Sequence, residues 1–493
     1  MTDNPDSLST VDVLIVGAGI SGIDAAYHLQ QELPEKTFSL VDRQASFGGT
    51  WRTHKYPGIR SDSDLYTFGF SWKPWTGVPI ATAEEILSYL EEALDEQNIK
   101  KHIRYRQSVQ TADWNSKDKQ WTVTMEDLDT AETKSVRCNF LWMCQGYYRH
   151  EKGYTPDFPG MDRFTGEIVH PQQWPEDLDY HRKRVVVIGS GATAATLIPA
   201  MADDCEHITM LQRSPTYFYA RPVNNELAET LGSLDLPEEW IHEIMRRKYL
   251  HDQKTIVRRS FTEPDQLRAD LLATAREYLG DDYPLDPHFT PHYRPWRQRL
   301  AVVPDGDLFK CIRAGQASVI TDHIDTFTSS GITLKSGETL RADIIITATG
   351  LELCPLGDIE FVIDGEQLDF AKCIGHRGIM FTGVPNLAWM FGYLRTSWTM
   401  RADLIAGFIC KVFSHMDQNG HTIVTPQLRP CDADMPLLPF VNDENFNAGY
   451  LMRSMHLMPK QGNRQPWIFS QDYHTEKDII PATDLLDGSL RFQ

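Results

Sequence analysis

The chain has 493 residues, and its 48 lysines and arginines against 68 aspartates and glutamates give a net charge of -20. At roughly 100–200 residues per domain this is enough for two to four domains. So acidic a surface repels phosphates, which excludes nucleic acid and anionic membranes as default partners. No apolar run reaches the roughly 18 residues of a membrane-spanning helix.

The first residues and the cysteines indicate the cellular compartment of the protein. The start, MTDNPDSLSTVDVLIVG, has neither the basic region nor the cleavage site of a signal peptide. The eight cysteines are dispersed and form no CxxC pair or Cys/His cluster at zinc spacing. We therefore expect a cytoplasmic protein with no disulfide framework and no metal site.

A βαβ unit is predicted at the start of the chain. Residues 11–16 form a short apolar run rich in β-branched side chains, which is typical of a buried strand. Residues 20–33 have apolar side chains at helical spacing, and residues 38–41 form a second strand that ends on Asp42. A GxGxxG turn joins the first strand to the helix, which is the arrangement of a dinucleotide-binding unit.

The glycines of this turn, Gly17, Gly19 and Gly22, have separate roles in phosphate binding. The first permits the tight turn, the second lets the phosphates approach the backbone, and the third lets helix and strand pack closely. A pyrophosphate there would meet the positive end of the helix dipole. Asp42 lies 20 positions after Gly22, where a carboxylate accepts from ribose hydroxyls and disfavours a 2′-phosphate. The unit therefore predicts FAD or NAD rather than NADP.

The pattern recurs with a different ending. A strand over residues 184–188 leads into a second turn, and a helix follows to about Met201. The next strand, residues 207–211, is followed by Arg213 and Ser214 instead of an acid. A guanidinium forks onto a 2′-phosphate and a hydroxyl adds a donor, so this unit predicts NADPH. An ordinary solvated arginine remains the alternative for Arg213.

The two units define the predicted fold class, which is α/β with two Rossmann-like dinucleotide-binding domains (FAD and NADP) and a helical insertion. We place the first part of the FAD domain at residues 1–150 and the NADP domain at 151–335, with the insertion at about 222–290. Residues 336–493 would supply the second part of the FAD domain and a C-terminal segment. The apolar run that ends at Gly350 is interpreted as a strand returning to the first domain.

Two further motifs narrow the class. Residues 164–175 match FxGxxxHxxxWP, and residues 48–62 match GGxWxxxxYPGxxxD. With these motifs the chain resembles the type I Baeyer–Villiger monooxygenases, within the class B flavoprotein monooxygenases, over residues 11–470. The ending Trp174-Pro175 favours this group over the ordinary N/S-oxygenating flavin monooxygenases. Stretches such as 56–67 look closest to the ethionamide-activating subgroup.

The resemblance implies an enzyme that uses FAD, NADPH and O₂. In this family reduced FAD reacts with oxygen to give a C4a-peroxyflavin, which attacks a ketone and yields an ester or lactone. Sulfides or thioamides are expected as further small-molecule substrates. The motif aspartate corresponds to Asp62, and the active-site arginine is matched to Arg299. A fixed guanidinium would stabilise the peroxyanion, and Asp62 would orient that guanidinium and be held ionised by it.

The motifs and the resemblance together give the residues expected to contact the cofactors. In the first unit they are Gly17, Gly19, Ser21, Gly22, Asp42, Gly49, Thr50, Trp51, Asp62 and Val109. In the second unit they are Gly189, Ser190, Gly191, Ala192, Thr193, Ala194, Arg213 and Ser214.

Other interpretations of the catalytic residues stay open. Asp62 could instead cap a turn, and without the resemblance nothing selects Arg299 over Arg294 and Arg297. Relatives often have lysine before the catalytic arginine, where this chain has Gln298. Discrimination against NADH would then depend more heavily on Arg213.

Several aromatic side chains are expected to be structural. His170 is interpreted as an interdomain residue rather than an acid–base group. Trp51, Trp296 and Trp398 are expected to serve packing more than to form a substrate wall.

Three other functions are weighed against ketone oxygenation. An N/S-oxygenating flavin monooxygenase without ketone activity is the nearest alternative. A disulfide reductase is disfavoured because Cys138 and Cys144 are six positions apart. A non-catalytic flavin-binding protein would oxidise NADPH only slowly and form no oxygenated product. The sequence does not indicate the physiological substrate or the oligomeric state.

Overall fold

The structure, a computed structural model, describes residues 9–493. Residues 1–8, which contain part of the stretch inspected for a signal peptide, lie outside the described residues. The helices, in chain order, are α1 (Ile20–Glu32), α2 (Thr50–Thr53), α3 (Leu65–Phe68), α4 (Ala83–Glu96), α5 (Ala192–Met201), α6 (Glu226–Ser233), α7 (Glu238–Thr262), α8 (Pro264–Leu279), α9 (Asp307–Arg313), α10 (Thr399–Asn419), α11 (Gly449–Ser454) and α12 (Tyr473–Ile479).

The longest strands lie in the first third of the chain, and the strands of the last third are short. In chain order they are β1 (Ser9–Val16), β2 (Phe38–Val41), β3 (Ile103–Arg104), β4 (Gln107–Asn115), β5 (Gln120–Asp127), β6 (Thr133–Met143), β7 (Tyr148–Gly153), β8 (Glu167–Val169), β9 (Arg184–Ile188), β10 (His207–Gln212), β11 (Phe218–Arg221), β12 (Ala301–Pro304), β13 (Ala317–Thr321), β14 (Ile324–Thr328), β15 (Gly331–Leu334), β16 (Thr339–Arg341), β17 (Ile344–Ile346), β18 (Leu351–Leu353), β19 (Glu360–Ile363), β20 (Glu366–Gln367), β21 (Gly375–His376), β22 (Met380–Phe381), β23 (Leu387–Trp389), β24 (Val424–Pro426), β25 (Leu438–Pro439), β26 (Lys460–Gln461) and β27 (Leu490–Phe492).

The first sheet has nine strands in the order β20-β19-β4-β5-β6-β1-β2-β3, with β23 paired to β6. Strands β1, β2 and β6 are parallel, with Val13 opposite Phe38 and Phe140. Val13, Leu14 and Ile15 are fully buried, because a central parallel strand is covered on both faces. This sheet contains the first predicted βαβ unit together with strands β4, β5 and β6.

The second sheet has five parallel strands in the order β13-β10-β9-β17-β8. Its presence corrects one part of the sequence interpretation. Strand β17 was expected to return to the first domain, but it pairs with β9 and β8 in the second sheet. The second sheet therefore extends beyond the predicted boundary at residue 335. The chain returns to the first sheet afterwards, where β19 pairs with β4.

The predicted insertion is helical and reaches the first domain. Helices α6, α7 and α8 occupy it, and α7 packs on α3. Arg246 of α7 donates a hydrogen bond to the carbonyl of Tyr66 at 2.9 Å, and His242 Nδ1 accepts from the backbone N–H of Trp75 at 3.0 Å. Within residues 9–493, none of the helices combines the length and the apolar character that crossing a bilayer requires.

Helix α10 packs across α1, the helix of the first glycine turn. Both contribute buried small and branched residues, among them Ala25, Ala26, Ala402 and Ile405. The contact continues at the N-terminal end of α10, where the indole N–H of Trp398 donates to Ser21 Oγ at 2.7 Å. Part of the C-terminal segment therefore supports the first glycine turn directly.

Candidate active site

A cavity of about 440 Å³ opens where strands β1, β2 and β6 end. The carboxyl ends of parallel strands are the usual ligand site of such a sheet. The predicted residues of the first unit that line the cavity are Gly17, Gly19, Ser21, Asp42, Gly49, Thr50, Trp51 and Val109. Gly22 and Asp62 are not part of its lining.

The glycines of the first turn are required by close contacts. Gly17 has a φ of +109°, and a Cβ there would lie 2.5 Å from the carbonyl oxygen of Cys144. A Cβ on Gly22 would lie 1.9 Å from the carbonyl oxygen of Gly17. Gly22 therefore lets α1 pack against the turn, and the turn leaves the N-terminus of α1 open to a phosphate.

Asp42 is fixed at the edge of the cavity by the backbone. Its Oδ2 accepts from the N–H of Ala18 at 2.7 Å, and its Oδ1 accepts from the N–H of Gln44 at 2.8 Å. Burial raises the pKa of Asp42, and these two hydrogen bonds oppose the rise. Each carboxylate oxygen keeps a further lone pair for a ribose hydroxyl.

Several cavity residues carry no motif and were missed by the sequence analysis. Gln145 and His150 line the cavity, and both amide atoms of Gln145 and Nδ1 of His150 are buried without a hydrogen-bond partner. Trp398 also lines it, stacked on Tyr147 with ring centroids 5.1 Å apart. Unsatisfied buried polar atoms in a cavity beside a glycine turn fit a polar dinucleotide such as FAD.

A second, smaller cavity of about 80 Å³ contains the predicted catalytic pair. Arg299 Nη1 donates to Asp62 Oδ2 at 2.8 Å, and each side chain is 31% exposed. Burial would lower the pKa of Arg299, but Asp62 together with Tyr450, Tyr148 and Tyr147 outweighs it and holds that pKa well above its usual range. The guanidinium is therefore a permanent, oriented positive charge.

The structure distinguishes Arg299 from the neighbouring arginines. Arg294 donates to Ser260 Oγ at 3.0 Å and stacks on Phe261, so it is tied to the helical insertion. Arg297 borders neither cavity, and its carbonyl accepts from the N–H of Asn447. Only Arg299 of the three lines a cavity.

The two cavities lie close together, because consecutive residues of the chain line them. Ser397 lines the smaller one and the next residue, Trp398, lines the larger one. Burial raises the pKa of Tyr148, which lines the larger cavity, and the charge of Arg299 opposes this rise. Arg299 thus lies within electrostatic reach of both cavities. Trp51, Trp296 and Trp398 pack against the apolar clusters, as expected, and each also lines a cavity.

The second glycine turn repeats the geometry of the first. Gly189 has a φ of +128°, and a Cβ there would lie 2.3 Å from the carbonyl oxygen of Ala348. Gly191 precedes α5, and a Cβ on it would meet nothing within 4 Å. Ser190 Oγ lies 3.1 Å from Thr216 Oγ1. This turn also presents the N-terminus of a helix to open space.

The other predicted residues of the second turn follow the same plan. Ala194 is fully buried, where it lets α5 approach the sheet, while Ala192 and Thr193 form the first turn of α5. Arg213 and Ser214 follow β10 and are exposed. Arg213 makes no ion pair with any of residues 9–493. An uncommitted guanidinium beside a helix N-terminus suits a 2′-phosphate.

The GGxWxxxxYPGxxxD motif connects three parts of the molecule. Its first residues, from Gly48 to Trp51, line the larger cavity. Gly58 lies against α5, where its Cβ would be 2.6 Å from Ala200 Cβ. Asp62 ends the motif on Arg299. The motif therefore runs from the first domain, past α5 of the second domain, to the smaller cavity, and its spacing matches this path.

His170 contacts two segments that connect the sheets, one at Gly153 and one at Gly350. Its Nε2 is 3.1 Å from the carbonyl oxygen of Gly350, and its Nδ1 accepts from the N–H of Gln172. A Cβ on Gly153 would lie 1.8 Å from the imidazole. Burial lowers the pKa of His170. These contacts match a neutral, structural interdomain histidine.

Comparisons with known proteins identify the family. The description "Flavin-binding monooxygenase-like" matches residues 78–231, and "NAD(P)-binding Rossmann-like domain" matches residues 15–76. The chain is 46% identical over 483 residues to the FAD-containing monooxygenase EthA of Mycolicibacterium smegmatis, covering 98% of this chain and 96% of that one. It is 44% identical over 484 residues to EthA of Mycobacterium tuberculosis, covering 98% and 97%.

Solved structures show the same fold. An oxidized steroid monooxygenase bound to NADP superposes with a TM-score of 0.75 at 20% identity, covering 98% of this chain and 99% of that one. Cyclohexanone monooxygenase from Rhodococcus sp. Phi1, bound to NADP⁺, gives a TM-score of 0.69 at 21% identity, covering 85% and 87%. The predicted fold class is confirmed, and the predicted cofactors agree with these proteins. The chain belongs to the family of FAD-containing monooxygenases.

Proposed function

We propose that this protein is an NADPH- and O₂-dependent flavin monooxygenase that inserts an oxygen atom into ketones to give esters or lactones. Sulfides or thioamides would be further substrates. The observation that carries the proposal is the Arg299–Asp62 pair, which lies in the smaller cavity beside the larger one. When bound, FAD takes a hydride from NADPH and activates O₂ for the transfer of one oxygen atom.

The larger cavity would hold FAD. The N-terminus of α1 and the backbone at Gly17 and Gly19 would bind the pyrophosphate, because their N–H groups and the helix dipole favour anions. Asp42 would accept from the ribose, and Trp51 and Trp398 would exclude water from the inner end of the cavity.

Arg299 would act on the oxygen that is transferred. A guanidinium keeps its proton at any working pH, so it offers positive charge without acting as an acid. Aimed at the smaller cavity, it would stabilise negative charge on the attacking oxygen and then the oxyanion of the tetrahedral ketone adduct. The hydrogen bond from Arg299 Nη1 to Asp62 fixes this direction before substrate arrives.

The second glycine turn would hold NADPH, and Arg213 would read its 2′-phosphate. We expect Arg213→Ala to raise the KM for NADPH about 10- to 150-fold, because a charge-assisted contact contributes roughly 1.5–3 kcal/mol. The KM for NADH should change little, since NADH has no 2′-phosphate. Steady-state NAD(P)H oxidation checks both values. Arg182→Ala, which removes an exposed arginine of the same domain, is the control; equal effects of Arg213→Ala on both nucleotides would exclude this role.

The proposed reaction is tested by supplying purified protein with NADPH, isotopically labelled O₂ and a panel of linear and aromatic ketones and sulfides. An ester carrying one labelled oxygen atom is the expected product of a ketone. Labelled sulfoxides without any ester would support the N/S-oxygenating alternative. NADPH oxidation without any oxygenated product would contradict both.

A further inference from the structure

Three polar side chains meet between α1 and α10, outside both cavities. Asp24 and His28 lie one turn apart on α1, and Asp403 faces them from α10. One ligand-type atom from each residue lies within 4.8 Å of those of the other two. Asp24 is fully buried, and His28 and Asp403 are 17% and 14% exposed.

The inner atoms of this cluster have no hydrogen-bond partner. They are Asp24 Oδ2, His28 Nε2 and Asp403 Oδ1, and all three are buried. His28 Nε2 lies 3.6 Å from Asp403 Oδ1 and 3.8 Å from Asp24 Oδ1, the oxygen that also accepts from Trp72. These separations are too long for hydrogen bonds. Leaving one buried polar group without a hydrogen bond costs about 1–3 kcal/mol. Three such groups in one cluster therefore require an explanation.

Two of the three outer atoms make hydrogen bonds, and the third faces a guanidinium at ion-pair distance. The indole N–H of Trp72 donates to Asp24 Oδ1 at 3.0 Å, and His28 Nδ1 donates to Glu32 Oε1 at 2.9 Å. Arg246 Nη2 lies 3.7 Å from Asp403 Oδ2. An imidazole held through one nitrogen by a carboxylate, with its other nitrogen free, is the arrangement of a metal-ligating histidine.

We propose that Asp24, His28 and Asp403 bind a divalent transition-metal ion, with Zn²⁺ as the best match to one imidazole and two carboxylates. Ligand atoms at 2.0–2.1 Å from a tetrahedral Zn²⁺ are about 3.3 Å apart. The 3.6 Å between His28 Nε2 and Asp403 Oδ1 needs only a few tenths of an ångström of closure. Water would complete the coordination.

A proton is the competing occupant of the cluster. Burial lowers the pKa of His28, but Asp403, Asp24 and Glu32 outweigh it and raise that pKa to about 9. An imidazolium between two carboxylates would nevertheless be expected at hydrogen-bond distance, whereas both separations exceed it. The distances from His28 therefore argue against an imidazolium, and the state that a metal ion would displace is a proton on Asp24, whose pKa burial and the neighbouring Asp403 raise well above its ordinary value.

The ion would fasten the helix of the first glycine turn to the C-terminal segment. Asp24 lies one turn after Ser21, which bonds Trp398 at the wall of the larger cavity. Binding at the cluster would hold the two helices together one turn away from this contact. The site is structural in this proposal and supplies no atom to the oxygenation reaction, so it stands independently of the proposed function.

The test is metal binding by the full-length, FAD-loaded protein prepared without a polyhistidine tag. After treatment with a chelator, equilibrium dialysis against Zn²⁺ is expected to give one bound ion per chain, with a rise in the unfolding temperature that the chelator reverses. Asp24→Asn and His28→Gln should each weaken Zn²⁺ binding more than tenfold. Glu32→Gln, which changes only the residue that orients His28, should weaken it about 10- to 100-fold.

The control is His251→Gln, which removes an exposed histidine of α7 and should leave Zn²⁺ binding unchanged. The proposal is overturned if the wild-type protein retains no stoichiometric Zn²⁺, a result that would leave a proton as the occupant. It is also overturned if a folded Asp24→Asn variant binds Zn²⁺ as tightly as the wild type. Should that variant fail to fold, dialysis of the wild type alone decides.

Discussion

Arg299→Ala is expected to retain FAD and to lose ester formation by at least about 100- to 1000-fold, the range found when one donor to a developing oxyanion is removed. The side chain lies in the smaller cavity and contributes nothing to the lining of the larger one. Flavin content, read from absorbance, should therefore stay near one per chain. Product analysis with a ketone measures the loss.

Arg299→Lys separates charge from geometry in the same experiment. Lysine keeps the positive charge but lacks the planar fork that Asp62 orients, so its activity should lie between those of wild type and alanine. Arg268→Ala, on α8 and outside both cavities, is the matched control and should behave as wild type. Ester formation by Arg299→Ala at the wild-type rate would rule out the assigned role.

Arg401→Met is expected to lower the free energy of unfolding by about 3–5 kcal/mol, the largest loss among the variants described. Arg401 is fully buried, and its Nε donates to Glu476 Oε2 at 2.8 Å. Its Nη1 also donates to the carbonyl of Phe391 at 2.7 Å. Removing the guanidinium leaves Glu476, itself only 3% exposed, as an uncompensated buried charge. Urea unfolding followed by fluorescence measures the change.

Two variants bracket this result. Lys248→Ala removes the cation of an exposed pair with Asp252 on α7 and should cost less than about 1 kcal/mol. Arg401→Met combined with Glu476→Gln should recover part of the loss, because the remaining amide carries no charge and can still accept from Tyr393. If the single and double variants were equally destabilised, the buried charge would not be the cause.

The parts of the site that the sequence predicts are those set by local geometry. Gly17 and Gly22 can be recognised because they lie beside or within elements that the apolar pattern predicts. A Cβ at either position would clash with backbone atoms. Asp42 follows because a strand of four residues, three of them apolar, fixes where its carboxylate lies. Arg299 depended on the family motif, since three arginines occur within six positions.

The parts that could not be predicted depend on distant pairing. The run Ile344–Ile346 is apolar in either sheet, so periodicity could not decide which one it joins. Gln145 follows a strand end without any motif, and Trp398 precedes a helix far along the chain, yet both reach the larger cavity. The cluster of Asp24, His28 and Asp403 likewise joins two helices at opposite ends of the sequence.

Different parts of the chain line the two cavities, and this separation affects how the protein can acquire new substrates. Tyr249, Gln253 and Ile256 of α7 line the smaller cavity, whereas no residue of the inserted helices lines the larger one. Mutations on that face of α7 can reshape the chamber beside Arg299 while every side chain around the larger cavity keeps its identity. Substrate selectivity can therefore change through substitutions in α7 alone. A mutant library restricted to this helix is a direct starting point for redesign.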